Sequence, residues 1–155
     1  MRRCYLSLGS NVGDRAEHLA AGVVIVAGHD PYRLSRVYRS EPVGGVAQED
    51  IWNLVMEVTT SASPHELLER CRSAERARGR TREVRWGPRT LDVDVLLVGE
   101  ETSDDPEIVV PHPRLYERSF VLVPLRELAP ALVSEEQLRR GVGKVVELGT
   151  LESLR

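Results

Sequence analysis

Residues 90–98, TLDVDVLLV, set two aspartates into an otherwise apolar run, a pattern that reads as a strand. Side chains two residues apart in a strand share a face, so Asp92 and Asp94 project together while Leu91, Val93 and Val95 point the other way. One side of this strand is therefore suited to a core, and the other carries two like charges. Adjacent carboxylates repel and resist burial unless one takes a proton or a cation supplies the missing charge. Oxygen-only ligands favour Mg²⁺, which binds through one or two carboxylates and completes its shell with water and substrate phosphates. The competing reading is a solvent-facing strand salt-bridged to nearby arginines.

Those arginines are unusually dense. Eight fall between Arg70 and Arg89, against only Glu75 and Glu83, although the chain as a whole carries a net charge of -3. The overall balance argues against a general nucleic-acid binder, whereas the local excess suits an anion site or, more simply, a solvated helix face followed by a charged loop. Guanidinium groups are bidentate donors for phosphate oxygens, so carboxylates, a metal and arginines together describe a nucleotide phosphoryl site.

The 155 residues and 41% hydrophobic content fit one domain spanning 1–155 with a core of its own. No stretch approaches the roughly 20 apolar residues of a membrane span, and the start MRRCYLSLGSN turns polar within a few residues, so a cytoplasmic protein is expected. Cys4 and Cys71 lack metal-ligand spacing and read as buried thiols.

Along the chain, RCYLSLG predicts a first strand, and GSNVGDR turns it into a helix over 15–27, with Asn11 or Asp14 as cap. Residues 9–14 could also cradle a phosphate, but a lone glycine-rich bend is weak support. YRLSRVYRS and DIWNLVMEVTT predict two β segments joined by the long loop EPVGGVAQE. Ser63 as N-cap, Pro64 at the first helical position and Glu66 closing a capping box predict a helix ending near Arg78 and Gly79. The arginine-rich stretch that follows has glycine and proline but no apolar period, which describes an exposed loop. EETSDDPE reads as a polar turn, IVVPHP as a short apolar stretch, SFVLVPLREL as a helix, Ser134 as the cap of another, and GKVVEL as a last strand. A β-α-β-β-α-β order predicts an α+β, ferredoxin-like fold, a mainly antiparallel sheet flanked by helices.

Four stretches occur together in order: LSLGSN, YRSEPVG, RWGPRTLDVDVLL and VPHPRLYERSFVLVPL. Over residues 5–132 the chain closely resembles the 6-hydroxymethyl-7,8-dihydropterin pyrophosphokinases of folate biosynthesis. The resemblance implies transfer of pyrophosphate from ATP to the hydroxymethyl group of the reduced pterin, with release of AMP. By position, Asp92 and Asp94 match the family's Mg²⁺ ligands, which hold two ions across the triphosphate. Arg80 and Arg89 match arginines that a mobile loop brings onto the phosphates, and Arg82 a further basic residue of that loop. His112 and Arg118 match nucleotide contacts, and Glu75 a helix residue at the ATP site. The pterin pocket carries over as Ser40, Val43, Gly44, Asn53, Trp86 and Phe120. On the residues alone, His112 between two prolines also reads as a turn residue, and Phe120 as core.

One position departs from the family pattern. Where a second aromatic commonly lies two residues before the amide, this chain has Ile51, with Trp52 next to it. Strand alternation puts Ile51 on the face of Asn53 and turns Trp52 away, so Ile51 is expected against the pterin and Trp52 in the core. The implied partners are ATP and the reduced pterin, with neither nucleic acid nor membrane; another folate-pathway enzyme stays open as a partner. Two rivals remain: a metal-dependent nucleotidyltransferase, which releases pyrophosphate, and an RNA-binding sheet module, which should carry aromatic and basic residues where this strand has aspartates.

Overall fold

The computed structural model describes residues 1–41, 50–79 and 90–155. In chain order the elements are β1 (Arg2–Ser10), α1 (Arg15–Ala27), β2 (Tyr32–Leu34), β3 (Val37–Ser40), β4 (Ile51–Thr60), α2 (Pro64–Ala77), β5 (Asp92–Val98), β6 (Ser103–Asp105), β7 (Ile108–Val110) and α3 (Ser119–Leu128). A 3₁₀ turn at Pro130–Leu132 leads to α4 (Glu135–Arg140), β8 (Val145–Gly149) and α5 (Leu151–Leu154). The main sheet is antiparallel and runs β5-β1-β4-β3-β8, with β2 also pairing to β4; β6 and β7 form a separate ribbon. No helix among the described residues is long and apolar enough to cross a membrane.

Local chemistry places the helices. Of the two candidate caps, Asp14 is the one used: its carboxylate accepts from the Glu17 N–H at 3.2 Å. At α2, Ser63 Oγ accepts from the Glu66 N–H at 3.1 Å and Glu66 Oε1 accepts from the Ser63 N–H at 3.4 Å, the expected reciprocal box. Such a cap stabilises by about 1 kcal/mol.

Two segments differ from expectation. YRLSRVYRS is two strands rather than one, because Ser35 breaks it: its N–H donates to Val55 O while its Oγ accepts from the Val55 N–H, both at 2.9 Å. A side-chain oxygen stands there in place of a ladder carbonyl. EETSDDPE contributes β6 as well as a turn, with Asp105 Oδ1 accepting from the Glu107 N–H at 3.0 Å to close the hairpin. An exposed ribbon can be polar in sequence, which is why the stretch resembled a loop.

Alternation along the strands builds two different faces. On one, Cys4, Leu6 and Leu8 of β1, Leu54, Met56 and Val58 of β4, and Val93, Val95 and Val98 of β5 pack beneath Leu19, Val23 and Val26 of α1 and Leu67, Cys71 and Ala74 of α2. On the other, Tyr5, Val55 and Leu96 pack with Leu115, Val121, Leu122, Leu125 and Val133. A register slip on β5 next to the Tyr5–Leu6 pair leaves Leu96 as the extra residue, a bulge that turns it into this second cluster. Both cysteines are buried as free thiols.

Candidate active site

The two aspartates stand where alternation puts them. Asp92 pairs with Gly9 and Asp94 with Ser7 across β1, and both side chains are half-buried between the fully packed Leu91, Val93 and Val95. Glu75, buried on the last turns of α2, accepts the Val93 N–H at 2.9 Å. Since β5 is the sheet edge among the described residues, this bond satisfies an N–H that none of their strands reaches. Cys71 lies below: burial, then Asp94, Glu75 and Asp92, push its thiol well above the ordinary range. The two same-face carboxylates of Asp92 and Asp94 are a donor pair that fits Mg²⁺.

Cations approach from the other side. The His112 N–H donates to Leu96 O at 2.9 Å, which fastens the loop after β7 to the outer edge of β5. His112 Nδ1 accepts from the Arg114 N–H at 3.1 Å, so a neutral ring carries its proton on Nε2. Burial first, then Arg118 and Arg114, lower its pKa, and the neutral form is favoured. Arg118 starts α3 with its guanidinium 4.8 Å over the Phe120 ring. Burial and Arg114 lower the Arg118 pKa while Asp94 and Asp92 act in the opposite sense, so all these groups share one electrostatic neighbourhood. Arg118 Nε is buried and makes no hydrogen bond among the described residues.

A second group adjoins it. Gly9 pairs with Asn53 on one side and Asp92 on the other, so these two residues flank it two strand spacings apart, roughly 10 Å. Asn53 Nδ2 donates to Ser40 Oγ at 3.3 Å. Its Oδ1 lies 2.7 Å from where a Cβ at position 9 would sit, so glycine is what lets the amide lie over β1. From sequence Gly9 is only the first residue of the 9–14 bend; its contact with Asn53 becomes visible only once β1 and β4 are in register. Ile51 pairs with Ser40 and shares the Asn53 face, as alternation requires. Trp52 packs on the opposite, helix-side core with Arg15 stacked 4.6 Å from its ring.

Thus Asp92, Asp94, His112 and Arg118 converge, with Glu75 behind the strand, Phe120 under Arg118, and Ser40, Ile51 and Asn53 on the same sheet face. Phe120 also packs on the second core, so its core reading and its site reading are compatible. Val43, Gly44, Arg80, Arg82, Trp86 and Arg89 lie outside the described residues. A separate trio, exposed His65 and Glu107 with half-buried Asp105, sits at the other end of α2, with His65 Nε2 3.0 Å from Asp105 Oδ2. It is about ten residues along the helix from Glu75, or roughly 15 Å.

Comparison with known proteins points to one family. The family model described as 7,8-dihydro-6-hydroxymethylpterin-pyrophosphokinase matches residues 5–130. A 2-amino-4-hydroxy-6-hydroxymethyldihydropteridine pyrophosphokinase of Bacillus subtilis is 44% identical over 134 residues, covering 84% of this chain and 80% of its own. The protein of the same name from Methylorubrum extorquens is 44% identical over 149 residues, 94% of each chain. That of Pseudomonas aeruginosa is 40% identical over 135 residues, 85% of this chain and 83% of its own.

Proposed function

The chain belongs to the 7,8-dihydro-6-hydroxymethylpterin-pyrophosphokinase family, and from that premise we propose that it moves the pyrophosphoryl group of ATP to the hydroxymethyl oxygen of 6-hydroxymethyl-7,8-dihydropterin. The bond between the hydroxymethyl oxygen and the β-phosphorus forms as the α–β bridge breaks, and AMP leaves. The enzyme is thus a diphosphotransferase of folate biosynthesis. The observation that carries the reading is the position of Asp92 and Asp94: same-face carboxylates one strand from Gly9, with Asn53 on the far side of that glycine.

Asp92 and Asp94 would hold two Mg²⁺ ions, which when bound neutralise the triphosphate and polarise the β-phosphoryl group. The chain's own residues do the rest by positioning. Arg118 and the His112 Nε2–H supply donors on the nucleotide side. Asn53, held by Ser40, presents its amide to the pterin edge, between Ile51 and Phe120 as walls. Glu75 acts through the Val93 N–H, holding the strand straight between the two aspartates. Arg80, Arg82 and Arg89 would add phosphate donors, and Val43, Gly44 and Trp86 would complete the pterin pocket. The hydroxyl proton passes to Asp92, Asp94 or water.

Residues 1–155 are read as one catalytic domain, cytoplasmic, with neither nucleic acid nor membrane as partner. The strand order β5-β1-β4-β3, with α1 and α2 on one face, supports a ferredoxin-like core extended by β8. Reduced pterin, ATP and Mg²⁺ supplied together should give AMP, and none should form when pterin or Mg²⁺ is omitted. Formation of ADP or free pyrophosphate instead overturns the proposal.

A further inference from the structure

Arg118 has no side-chain cap to hold the start of α3. What holds it comes from 24 residues further along the chain, beyond residue 130 where the family match ends. The Val142 N–H donates to Glu117 O at 2.8 Å, and the Ser119 N–H donates to Val142 O at 3.0 Å. Val142 therefore brackets Arg118 with two backbone bonds, a parallel bridge outside any strand. Its side chain is 74% exposed, so apolar burial does not hold it there.

Gly141 makes the approach close. A Cβ at that position would lie 2.9 Å from both Leu122 Cδ1 and Ser119 Oγ, so any larger residue makes those side chains, and with them the first turn of α3, give way. α4 is tied to α3 at its other end by the Arg126–Glu135 ion pair. The segment thus spans α3 on the outside and grips it at the residue that faces the aspartates.

We propose that the Gly141–Val142 backbone is a positioning element for the active site, setting the Arg118 guanidinium and, through it, the stacked Phe120. This rests on the reading of Arg118 as a nucleotide contact. A displacement near 1 Å in a positioned group costs on the order of 10²-fold in rate, so loosening the clamp weakens function well beyond any change in folding.

Calorimetric Kd for Mg²⁺ with a non-hydrolysable ATP analogue reads the effect without requiring turnover. Gly141→Ala should raise Kd by roughly tenfold or more in the otherwise wild-type protein, and by less than about twofold in an Arg118→Ala background, since an effect exerted through Arg118 cannot be lost twice. Val142→Ala keeps both backbone bonds and should match wild type. Val142→Pro deletes the N–H to Glu117 and suits its neighbour, because Gly141 already has the extended ψ of 138° that a following proline requires; it should repeat the Gly141→Ala pattern if that variant folds poorly. Equal loss in both backgrounds, or wild-type affinity in Gly141→Ala and Val142→Pro, overturns the clamp. AMP formation by wild type tests the proposed reaction separately, and an unchanged Kd in Arg118→Ala removes the premise about that arginine.

Discussion

Two acidic positions share the α3 side of the sheet, and they are built in opposite ways. At one end, Glu57 is buried with its needs met inside the protein: Tyr5 Oη donates to it at 2.8 Å and Arg33 at 3.0 and 2.9 Å, one nitrogen to each oxygen. At the other end, Asp92 and Asp94 are half-buried beside each other, with a half-buried arginine in their field. A carboxylate fully paired within the chain contributes stability. Two like carboxylates side by side on one strand face gather negative charge that a cation and a polyphosphate can use. Placement at one end or the other separates architecture from chemistry on one surface.

The largest expected effect separates the two ends outright. Asp92→Asn and Asp94→Asn each remove ligand charge without changing shape, and several kcal/mol of lost transition-state stabilisation corresponds to a fall in kcat of roughly 10³-fold. Circular dichroism and melting temperature should stay near wild type. Full activity in either variant would remove the distinction between the two ends.

Glu57→Ala should do the reverse. It leaves the buried Tyr5 hydroxyl without its acceptor, a cost of about 2 kcal/mol, or roughly 4–8 °C in Tm for a chain of this size, with AMP formation per folded molecule retained. Acid should expose the same contrast. Arg33, as hydrogen-bond donor, outweighs burial and holds the Glu57 carboxyl below its ordinary range. A depressed folded-state pKa gives stability that is complete above the unfolded value and lost as pH falls through the folded one. The Tm gap between wild type and Glu57→Ala should therefore narrow as pH drops below about 4; a gap independent of pH between 7 and 3 would show that the charge of Glu57 is not what stabilises.

How much of this was legible beforehand follows the range of the interactions. Asp92 and Asp94 were readable because alternation is a local rule, and the Ser63 capping box because its partner Glu66 lies three residues away. The same rule placed Trp52 on the helix-side core, away from Asn53. The Gly9–Asn53 contact, the Ser35 break and the Val142 bridge depend on residues 44, 20 and 24 positions apart, and no periodicity announces them. Glu57 sat unremarked in an apolar strand because its partners, Tyr5 and Arg33, come from two other strands.

A smaller effect sharpens the comparison at the pterin end. Gly9→Ala forces Asn53 Oδ1 away from a contact of 2.7 Å, and loss of one well-placed hydrogen bond at roughly 1.4 kcal/mol is about tenfold in pterin KM; KM for ATP should hold. The smallest concerns Ile51. An aromatic there should recover part of the roughly 1–3 kcal/mol that stacking on a base contributes, so Ile51→Phe should tighten pterin binding, while Trp52→Ala should lower Tm and leave pterin affinity intact. Loss of pterin binding in Trp52→Ala at unchanged Tm would contradict the alternation.

The central claim, that one acidic position serves ligands and the other the fold, is tested most directly by thermal shift with Mg²⁺ and an ATP analogue blocked between its α and β phosphates. At a hundred times Kd, binding stabilises the native state by about 2.7 kcal/mol. Wild type and Glu57→Ala should both gain that increment in full, from different starting temperatures, while the Asp92→Asn/Asp94→Asn double variant should lose the Mg²⁺-dependent part. An undiminished Mg²⁺-dependent shift in the double variant would contradict the account.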